Sequence, residues 1–253
     1  MSALITKPAK PLGAKAYGSI GHLPPSRLGP GDWHIHEGQA RICLETPRKG
    51  DRVIVTEKLD GACMAVANID GQIIPLTRAG YRAEDGAFEH LRAFAPWVAI
   101  ERNRFEQLLH PGERVVGEWL ALAHGTRYLA DHSRFRPFIA FDIFREGKRV
   151  LRDEFKARCE AAFVMTAECC HDGPLGLPIE EALGRLGRFG YHGALDPIEG
   201  AVWRVEREGR VDFLAKFVRP DKIDGSYLPE ISGRDPIWNF APAPTPSGKG
   251  GEQ

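Results

Sequence analysis

The segment Lys58-Leu59-Asp60-Gly61 is the part of the sequence whose residue types point most directly to chemistry. It follows the β-branched run 53–56, which favours a strand, and its Asp-Gly pair favours a tight turn. A strand that delivers a lysine amine to a turn can place that amine beside a phosphate as a nucleophile. Because such a short match carries little information alone, its meaning depends on which charged residues follow it along the chain.

Downstream, charged residues stand inside or beside apolar, strand-like runs. Each taken singly has an ordinary explanation as a turn, a cap or an edge-strand residue. Acidic groups inside apolar runs are nevertheless costly when they are buried without partners. Their recurrence therefore predicts that they share one site, together with a neighbouring aromatic residue. The set comprises Arg78, Glu118, Phe141, Asp142, Glu199 and Lys216.

Nucleotidyl transfer is a chemistry that uses this set of groups. A lysine amine attacks the α-phosphate of a nucleoside triphosphate and expels pyrophosphate. The amine must first be neutral, and we expect burial and the nearby cation Lys216 to lower the pKa of Lys58. Glu199 is the candidate ligand for a divalent cation, and Lys216 can stabilise the α-phosphate. Phe141 can stack on the base, and Glu118 can hold the ribose hydroxyls.

The ordered segments resemble those of the covalent nucleotidyltransferases, which include polynucleotide ligases and mRNA capping enzymes. The order is K-x-D-G, G-E-W, F-D-I-F, E-G-x-V and then a strand lysine, over about residues 40–222. The phrase Val-Thr-Glu-Lys-x-x-Gly is similar to the compact RNA ligase branch, with phage RNA ligase 2 and the RNA-editing ligases. The resemblance implies a nucleotidyltransferase (ATP-grasp-like) domain that uses ATP and Mg²⁺ or Mn²⁺ in RNA repair. Its implied partners are RNA ends or a nicked duplex.

The resemblance also implies roles for individual residues. Lys58 would carry the adenylate, and Asp60 would support the lysine and the strand-joining chemistry. Three residues would bind the nucleoside: Glu57 would line the base pocket, Phe141 would stack on adenine and Glu118 would bind the ribose. The other three would bind charged groups: Arg78 would contact phosphate or the RNA end, Glu199 would bind the metal and Lys216 would contact the α-phosphate.

Two positions depart from the family pattern. Cys63 stands where the family often has an asparagine five residues after the nucleophile. The last motif, usually K-x-K, reads Lys216-Phe217-Val218, so that either Val218 or Leu214 replaces one lysine. One cation is therefore missing, which favours lysine adenylylation over efficient strand sealing.

The elements that position these residues read as a mixed α+β domain of antiparallel sheets flanked by helices. Strands are predicted at 40–45, 52–57, 62–69, 72–77, 114–121, 137–144, 200–206 and 211–218. Helices are predicted at 87–109, 153–165 and 179–188 from their apolar spacing. We predict a Gly/Pro-rich arm packed on the core over 1–40, the nucleotidyltransferase domain over 41–240 and a disordered tail over 241–253.

The composition indicates the cellular compartment, the state of the cysteines and the way in which nucleic acid is bound. No apolar run reaches the roughly 20 residues of a membrane helix, and no signal peptide is evident, so we expect a cytoplasmic protein. The odd number of cysteines, two of them adjacent, favours reduced thiols. The formal net charge of zero argues against a surface coated with basic residues. Contacts with nucleic acid are therefore expected from the core, the basic region 127–158 or the arm. His22, Arg27 and Arg219 are candidates for that contact.

Three alternatives stay open at this point. One is a minimal DNA ligase, and another is a capping-type nucleotidyltransferase. The third is a nucleotide- or RNA-end-binding protein that has lost sealing activity, which the changes at Cys63 and Val218 motivate. The sequence does not define the oligomeric state.

Overall fold

Two five-stranded sheets form the framework of the computed structural model, which describes residues 8–129 and 136–241. The first sheet has the order β1-β10-β9-β2-β8, and β1 is parallel to β10 while the other neighbours are antiparallel. Its strands are β1 (Gly21–His22), β2 (Arg52–Lys58), β8 (Cys169–Gly173), β9 (Gly200–Arg207) and β10 (Arg210–Val218).

The second sheet has the order β4-β3-β5-β6-β7 and is antiparallel throughout. Its strands are β3 (Ala62–Ile69), β4 (Gln72–Thr77), β5 (Arg114–Trp119), β6 (Phe138–Arg145) and β7 (Lys148–Arg149). The β3–β4 hairpin turns at Asp70-Gly71, where both residues have positive φ, as a two-residue hairpin turn requires. The predicted α+β class with antiparallel sheets is confirmed.

Short helices surround the two sheets. They are α1 (Glu37–Leu44), α2 (Glu89–Arg92), α3 (Phe94–Ile100), α4 (Arg102–Leu108), α5 (Arg152–Ala161), α6 (Ile179–Leu186) and α7 (Pro229–Ser232). One apolar core packs α3, α4 and α5 against the second sheet, around Phe94, Phe105 and Trp119. Another packs α1 and α6 against the first sheet, around Trp203. The inner faces of the sheets are thus left for the site.

Two predictions of secondary structure were wrong. The expected strand at 40–45 is the helix α1, because Ala40 and Cys43 are buried one helical turn apart and the His36 and Gln39 side chains form a capping box. The expected helix 87–109 is three short helices. Pro96 lies in the first turn of α3, a position that tolerates proline, whereas the interior of one long helix would not.

Other predictions need smaller changes. The strand β8 was not predicted, since its sequence Cys-Cys-His-Asp-Gly has no β-branched residue. The predicted tail lies outside the described residues except for Ala241. No helix within 8–129 or 136–241 is long and apolar enough to span a membrane.

A buried ionic network joins the two sheets. Asp142 on β6 accepts hydrogen bonds from Arg204 on β9 (2.6 Å) and from Arg149 (2.8 Å). Arg204 also donates to Glu206 at 2.7 Å, and the Tyr17 hydroxyl donates to Asp142 at 3.2 Å. The acid that the sequence places between aromatic residues is therefore a connection between sheets.

Candidate active site

Lys58 lies where the chain crosses from one sheet to the other. It ends β2, and Leu59-Asp60-Gly61 leads into β3 of the second sheet. Glycine is required in this crossing because a Cβ on Gly61 would lie 2.5 Å from the Trp119 carbonyl oxygen. Gly200, paired with Lys58 across the sheet, is equally constrained, since its Cβ would lie 1.8 Å from the Phe217 carbonyl oxygen. The local sequence thus fixes the lysine at the junction.

A cavity of about 440 Å³ opens between the sheets around Lys58. This size lies within the range of small-molecule sites. Both sheets contribute to it, and it brings together all eight residues to which the family resemblance assigns a role. They are Glu57, Lys58, Asp60, Arg78, Glu118, Phe141, Glu199 and Lys216.

Lys58 is held by carboxylates inside this cavity. Its Nζ donates to Glu199 Oε2 at 2.7 Å. Burial alone would lower the pKa of Lys58, but Glu199, Glu118 and Asp60 outweigh it and raise this pKa above its usual value. The expectation of a lowered pKa is therefore wrong, because the three acids around the amine outweigh the effect of burial.

The two glutamates beside Lys58 are themselves perturbed. Burial raises the pKa of Glu118 to about 7, and the neighbouring Glu199 adds to the effect while Lys58 opposes it. Burial likewise raises the pKa of Glu199 to about 6, again against the attraction of Lys58. Glu118 also accepts a hydrogen bond from the Gly61 N–H at 3.1 Å. Two carboxylates and one ammonium group therefore share a small volume.

Lys216 faces the cavity from β10 and also forms an ion pair with the N-terminal arm. Its Nζ lies 3.6 Å from Asp32 Oδ1, and Asp32 Oδ2 lies 3.2 Å from His22 Nε2. Burial and the nearby Lys58 lower the pKa of Lys216. The arm thus supplies the counter-ion of the second cavity lysine, a contact that the sequence did not indicate.

Asp60 is engaged by a loop and by a lysine from the C-terminal region. Its Oδ2 accepts hydrogen bonds from Gly125 N (3.0 Å) and Thr126 Oγ1 (3.1 Å) and forms an ion pair with Lys222 Nζ (2.9 Å). Lys222 is buried and also donates to the Gly125 carbonyl oxygen at 2.6 Å. Asp60 therefore orders the turn after Lys58, and Lys222 is a site residue that sequence reasoning missed.

Glu57 is buried beside the nucleophile. Its Oε2 accepts from the Tyr191 N–H at 2.8 Å, whereas Oε1 has no hydrogen-bond partner among the described residues. Burial raises the pKa of Glu57 to about 7, and Glu168 contributes in the same direction. An unpartnered carboxyl oxygen in a cavity is free to accept or donate a hydrogen bond to a ligand.

Phe141 and Arg78 lie on the side of the second sheet. The Phe141 ring packs edge-on against Tyr17 of the arm, with centroids 5.2 Å apart. Arg78 donates to Ser19 Oγ at 2.9 Å, which ties it to the arm as well. The arm therefore contributes Tyr17, a second residue that the sequence did not single out, to the cavity wall.

The predicted nucleic-acid contacts lie outside the cavity lining. His22 is buried and its Nδ1 lies 2.7 Å from Ser26 Oγ. Arg27 pairs with Asp224 at 3.1 Å, and Arg219 binds Asp221 at 3.0 Å. These residues anchor the arm and the segment after β10, so their contact with nucleic acid stays a prediction.

The basic region 127–158 is largely engaged in ion pairs. Four arginines of this region form ion pairs within the part of the chain that the structure describes. They are Arg127 with Asp196, Arg145 with Glu113 and Glu154, Arg149 with Asp142, and Arg158 with Glu113 and Glu154. Arg134 lies outside the described residues. These pairs neutralise much of the charge that the sequence suggested for a basic surface.

The two departures from the family pattern have defined positions. Cys63 lines the cavity opposite Glu118 on the neighbouring strand. Leu214 and Lys216 line it too, whereas Val218 is buried and its N–H donates to Ser26 Oγ at 2.8 Å. An apolar side chain therefore faces the cavity one pleat before Lys216.

The carboxylates at Lys58 are of the kind that binds a divalent cation. Hard cations bind carboxylate oxygens, and Glu199 is close enough to Glu118 to raise the pKa of Glu118. No cluster of three or more metal-ligating side chains is found in the described part of the chain. A cation held here would therefore complete its shell with phosphate oxygens or water.

The sequence profile of the RNA ligase family matches residues 51–218. The chain belongs to the RNA ligase family. This stretch holds all eight cavity residues named above, from Glu57 to Lys216. A comparison with curated proteins returned no match.

Solved structures similar to this member of the RNA ligase family include two ligases. Naegleria gruberi RNA ligase with ATP and Mn matches with 19% identity and a TM-score of 0.47, over 68% of this chain and 51% of that chain. An archaeal ATP-dependent RNA ligase matches with 19% identity and a TM-score of 0.46, over 80% and 48%. The chain spans about half the length of these ligases.

Proposed function

We propose that this chain is an ATP-dependent RNA ligase with Lys58 as its nucleophile. The Lys58 amine attacks the α-phosphorus of ATP, a nitrogen–phosphorus bond forms, and pyrophosphate leaves. AMP then passes to a 5′-phosphate end of RNA, which frees Lys58. A 3′-hydroxyl finally attacks the activated phosphate, so that a phosphodiester forms and AMP departs.

One observation carries the proposal. Lys58 is held 2.7 Å from Glu199 in a cavity that both sheets line, with Lys216 on the same wall. An amine fixed beside a carboxylate and a second cation matches the needs of attack on a phosphate ester. Membership of the RNA ligase family supports the same chemistry.

Each remaining residue has a place in binding ATP. Phe141 can stack on the adenine, and the unpartnered oxygen of Glu57 can hydrogen bond to the base edge. Glu118 can accept hydrogen bonds from the ribose, and Arg78 and Lys216 can contact phosphate oxygens. Mg²⁺ or Mn²⁺, held by Glu199, would neutralise phosphate charge. Lys58 would then lose the partner that keeps it protonated.

The test is covalent labelling of the protein with ATP. The chain is incubated with α-³²P ATP and Mn²⁺ or Mg²⁺, denatured and separated by electrophoresis. We expect label on the wild type and none on Lys58→Ala. Lys156→Ala is the matched control because Lys156 is an exposed lysine paired with Glu160 on α5, and it should label like the wild type. Equal labelling of Lys58→Ala would overturn the proposal.

A second assay separates the ligase from the other nucleotidyltransferases. Nicked duplexes are prepared with RNA or DNA on the broken strand, and sealing is followed by strand length. Sealing confined to DNA would indicate a minimal DNA ligase. Label from GTP in place of ATP would indicate a capping-type enzyme.

The apolar position beside Lys216 supports one further candidate function. Leu214 faces the cavity where a second lysine would bind phosphate, and Cys63 replaces a polar amide there. A chain that labels on Lys58 but joins no ends, or binds ATP without labelling, would be an RNA-end-binding protein that has lost sealing. Leu214→Lys would then be expected to restore sealing.

A further inference from the structure

A second cavity of about 610 Å³ adjoins the one at Lys58. The two share Cys63, Arg78, His124 and Leu228 in their walls. The second cavity lies between the ends of the second sheet and the segment that leads from β4 to α2. Of the residues to which ATP binding is assigned above, Arg78 is the one that lines the second cavity, and it lines the cavity at Lys58 as well.

Aromatic rings form much of this second cavity. Phe88 is 46% exposed, and its ring stacks on that of His90, with centroids 5.7 Å apart and planes at 15°. His90 is buried and lies edge-on to His124 at 5.3 Å. Tyr81 also contributes to the wall. A half-exposed aromatic face supported by a second ring is a platform for a planar ligand.

The polar groups of this cavity point to a heterocycle as the ligand. His124 Nε2 is buried without a hydrogen-bond partner among the described residues. Burial lowers the pKa of His90 to about 4 and that of His124 below its usual value. Neutral imidazoles can both stack on a base and hydrogen bond to its edge. The walls are otherwise mainly apolar, which favours an aromatic ring over a sugar or a peptide.

We propose that this second cavity binds the terminal nucleobase of an RNA end, stacked on Phe88 and hydrogen bonded to His124. The inference rests on the proposed function for its choice of RNA. Unpaired bases of RNA are commonly bound by stacking on aromatic side chains. The continuity of the two cavities would bring the end nucleotide towards Lys58.

The charges in the cavity set the orientation of that nucleotide. Arg78 stands in the shared wall, whereas Asp85 and Glu230 line the second cavity alone. The acids would accept hydrogen bonds from base N–H groups but repel a phosphate. The phosphate is therefore placed at Arg78, next to the nucleotidyl-transfer site, with the base turned away from it.

The experiment uses RNA strands that carry 2-aminopurine, whose fluorescence is quenched by stacking. One strand has the probe at its 5′-phosphorylated end and another at its 3′-hydroxyl end, and both are titrated with the full chain without ATP. We expect quenching at one of the two ends, which identifies the strand that enters the cavity. Phe88→Ala should weaken the binding about tenfold, while Phe88→Tyr should retain it.

Phe163→Ala is the matched control, because Phe163 is an exposed phenylalanine that lines neither cavity. Its binding curve should coincide with that of the wild type. Equal quenching by Phe88→Ala and the wild type would overturn the inference. Displacement of the probe by ATP, with reduced Lys58 labelling in Phe88→Ala, would also overturn it and assign the cavity to the adenine of ATP.

The outcome is separable from that of the proposed function. Quenching that depends on Phe88 in a chain whose Lys58 takes no label would establish the base site and reject the ligase. Labelling of Lys58 without any quenching at either end would reject the base site and leave nucleotidyl transfer at Lys58 supported.

Discussion

At the scale of single residues, buried carboxyl groups dominate the site. Glu118 and Glu199 share Lys58 as a counter-ion, so their protonation is linked to that of the nucleophile. Glu57 has no cationic partner in the part of the chain that the structure describes, and burial raises its pKa to about 7. Its effect on stability is therefore the simplest of the three to isolate.

Glu57 should make the protein less stable as the pH rises. Burial raises the pKa of Glu57 to about 7 in the folded protein, above the ordinary value of 4.5 for a glutamate. Between these two pKa values the folded state binds more protons than the unfolded state. The contribution of Glu57 to the free energy of unfolding therefore falls with rising pH, and it is complete only below about pH 4.5. Glu57→Gln should remove this decline, a difference on the order of 1–3 kcal/mol.

Urea denaturation of both proteins from pH 4.5 to 8 measures the effect as the difference between their free energies of unfolding. Glu160→Gln is the control, because Glu160 is exposed on α5, and its curve should run parallel to that of the wild type. A constant difference between Glu57→Gln and the wild type would show that Glu57 titrates alike in both states.

At the scale of elements, the N-terminal arm closes one side of the site. Its short strand β1 pairs with β10 and sets His22 opposite Lys216. Ser26 secures the end of β10, since its Oγ accepts from the Val218 N–H at 2.8 Å. The same hydroxyl lies 2.7 Å from His22 Nδ1. One buried serine thus ties the arm to the strand that carries Lys216.

Ser26→Ala should loosen the arm. The buried Val218 N–H would lose its partner, at a cost of about 1–3 kcal/mol. We expect a lower free energy of unfolding and faster proteolysis within residues 8–36 than in the wild type. Ser232→Ala removes an exposed hydroxyl that accepts from Arg234 N, and should change neither quantity. Equal proteolysis of Ser26→Ala and the wild type would argue against this anchor.

The sequence predicts these elements unevenly, for physical reasons. The strands β2, β3, β6, β9 and β10 were predicted because β-branched and apolar runs between turn residues favour strands. The cavity residues on these strands were predicted for the same reason, since each lies in or beside a β-branched or apolar run. Asp32 and Lys222 were not, because they lie in irregular segments whose contacts depend on the folded chain.

At the scale of the whole molecule, a buried ionic network sets how the sheets face each other. Asp142 is buried on β6 and holds Arg204 of the opposite sheet at 2.6 Å. Both residues line the cavity at Lys58. The network is therefore part of the wall of the site, and the spacing of the sheets around a nucleotide depends on it.

Asp142→Ala should destabilise the whole protein strongly. It would leave the buried Arg204 and the half-buried Arg149 without their shared carboxylate, and breaking a buried pair costs about 3–5 kcal/mol. Glu106→Ala breaks the exposed pair with Arg102 and should cost about 1 kcal/mol or less. Urea denaturation measures both. Because the sheets would lose a direct connection, ATP labelling of folded Asp142→Ala should also fall. A cost as small as that of Glu106→Ala would mean that apolar packing alone sets the sheet spacing.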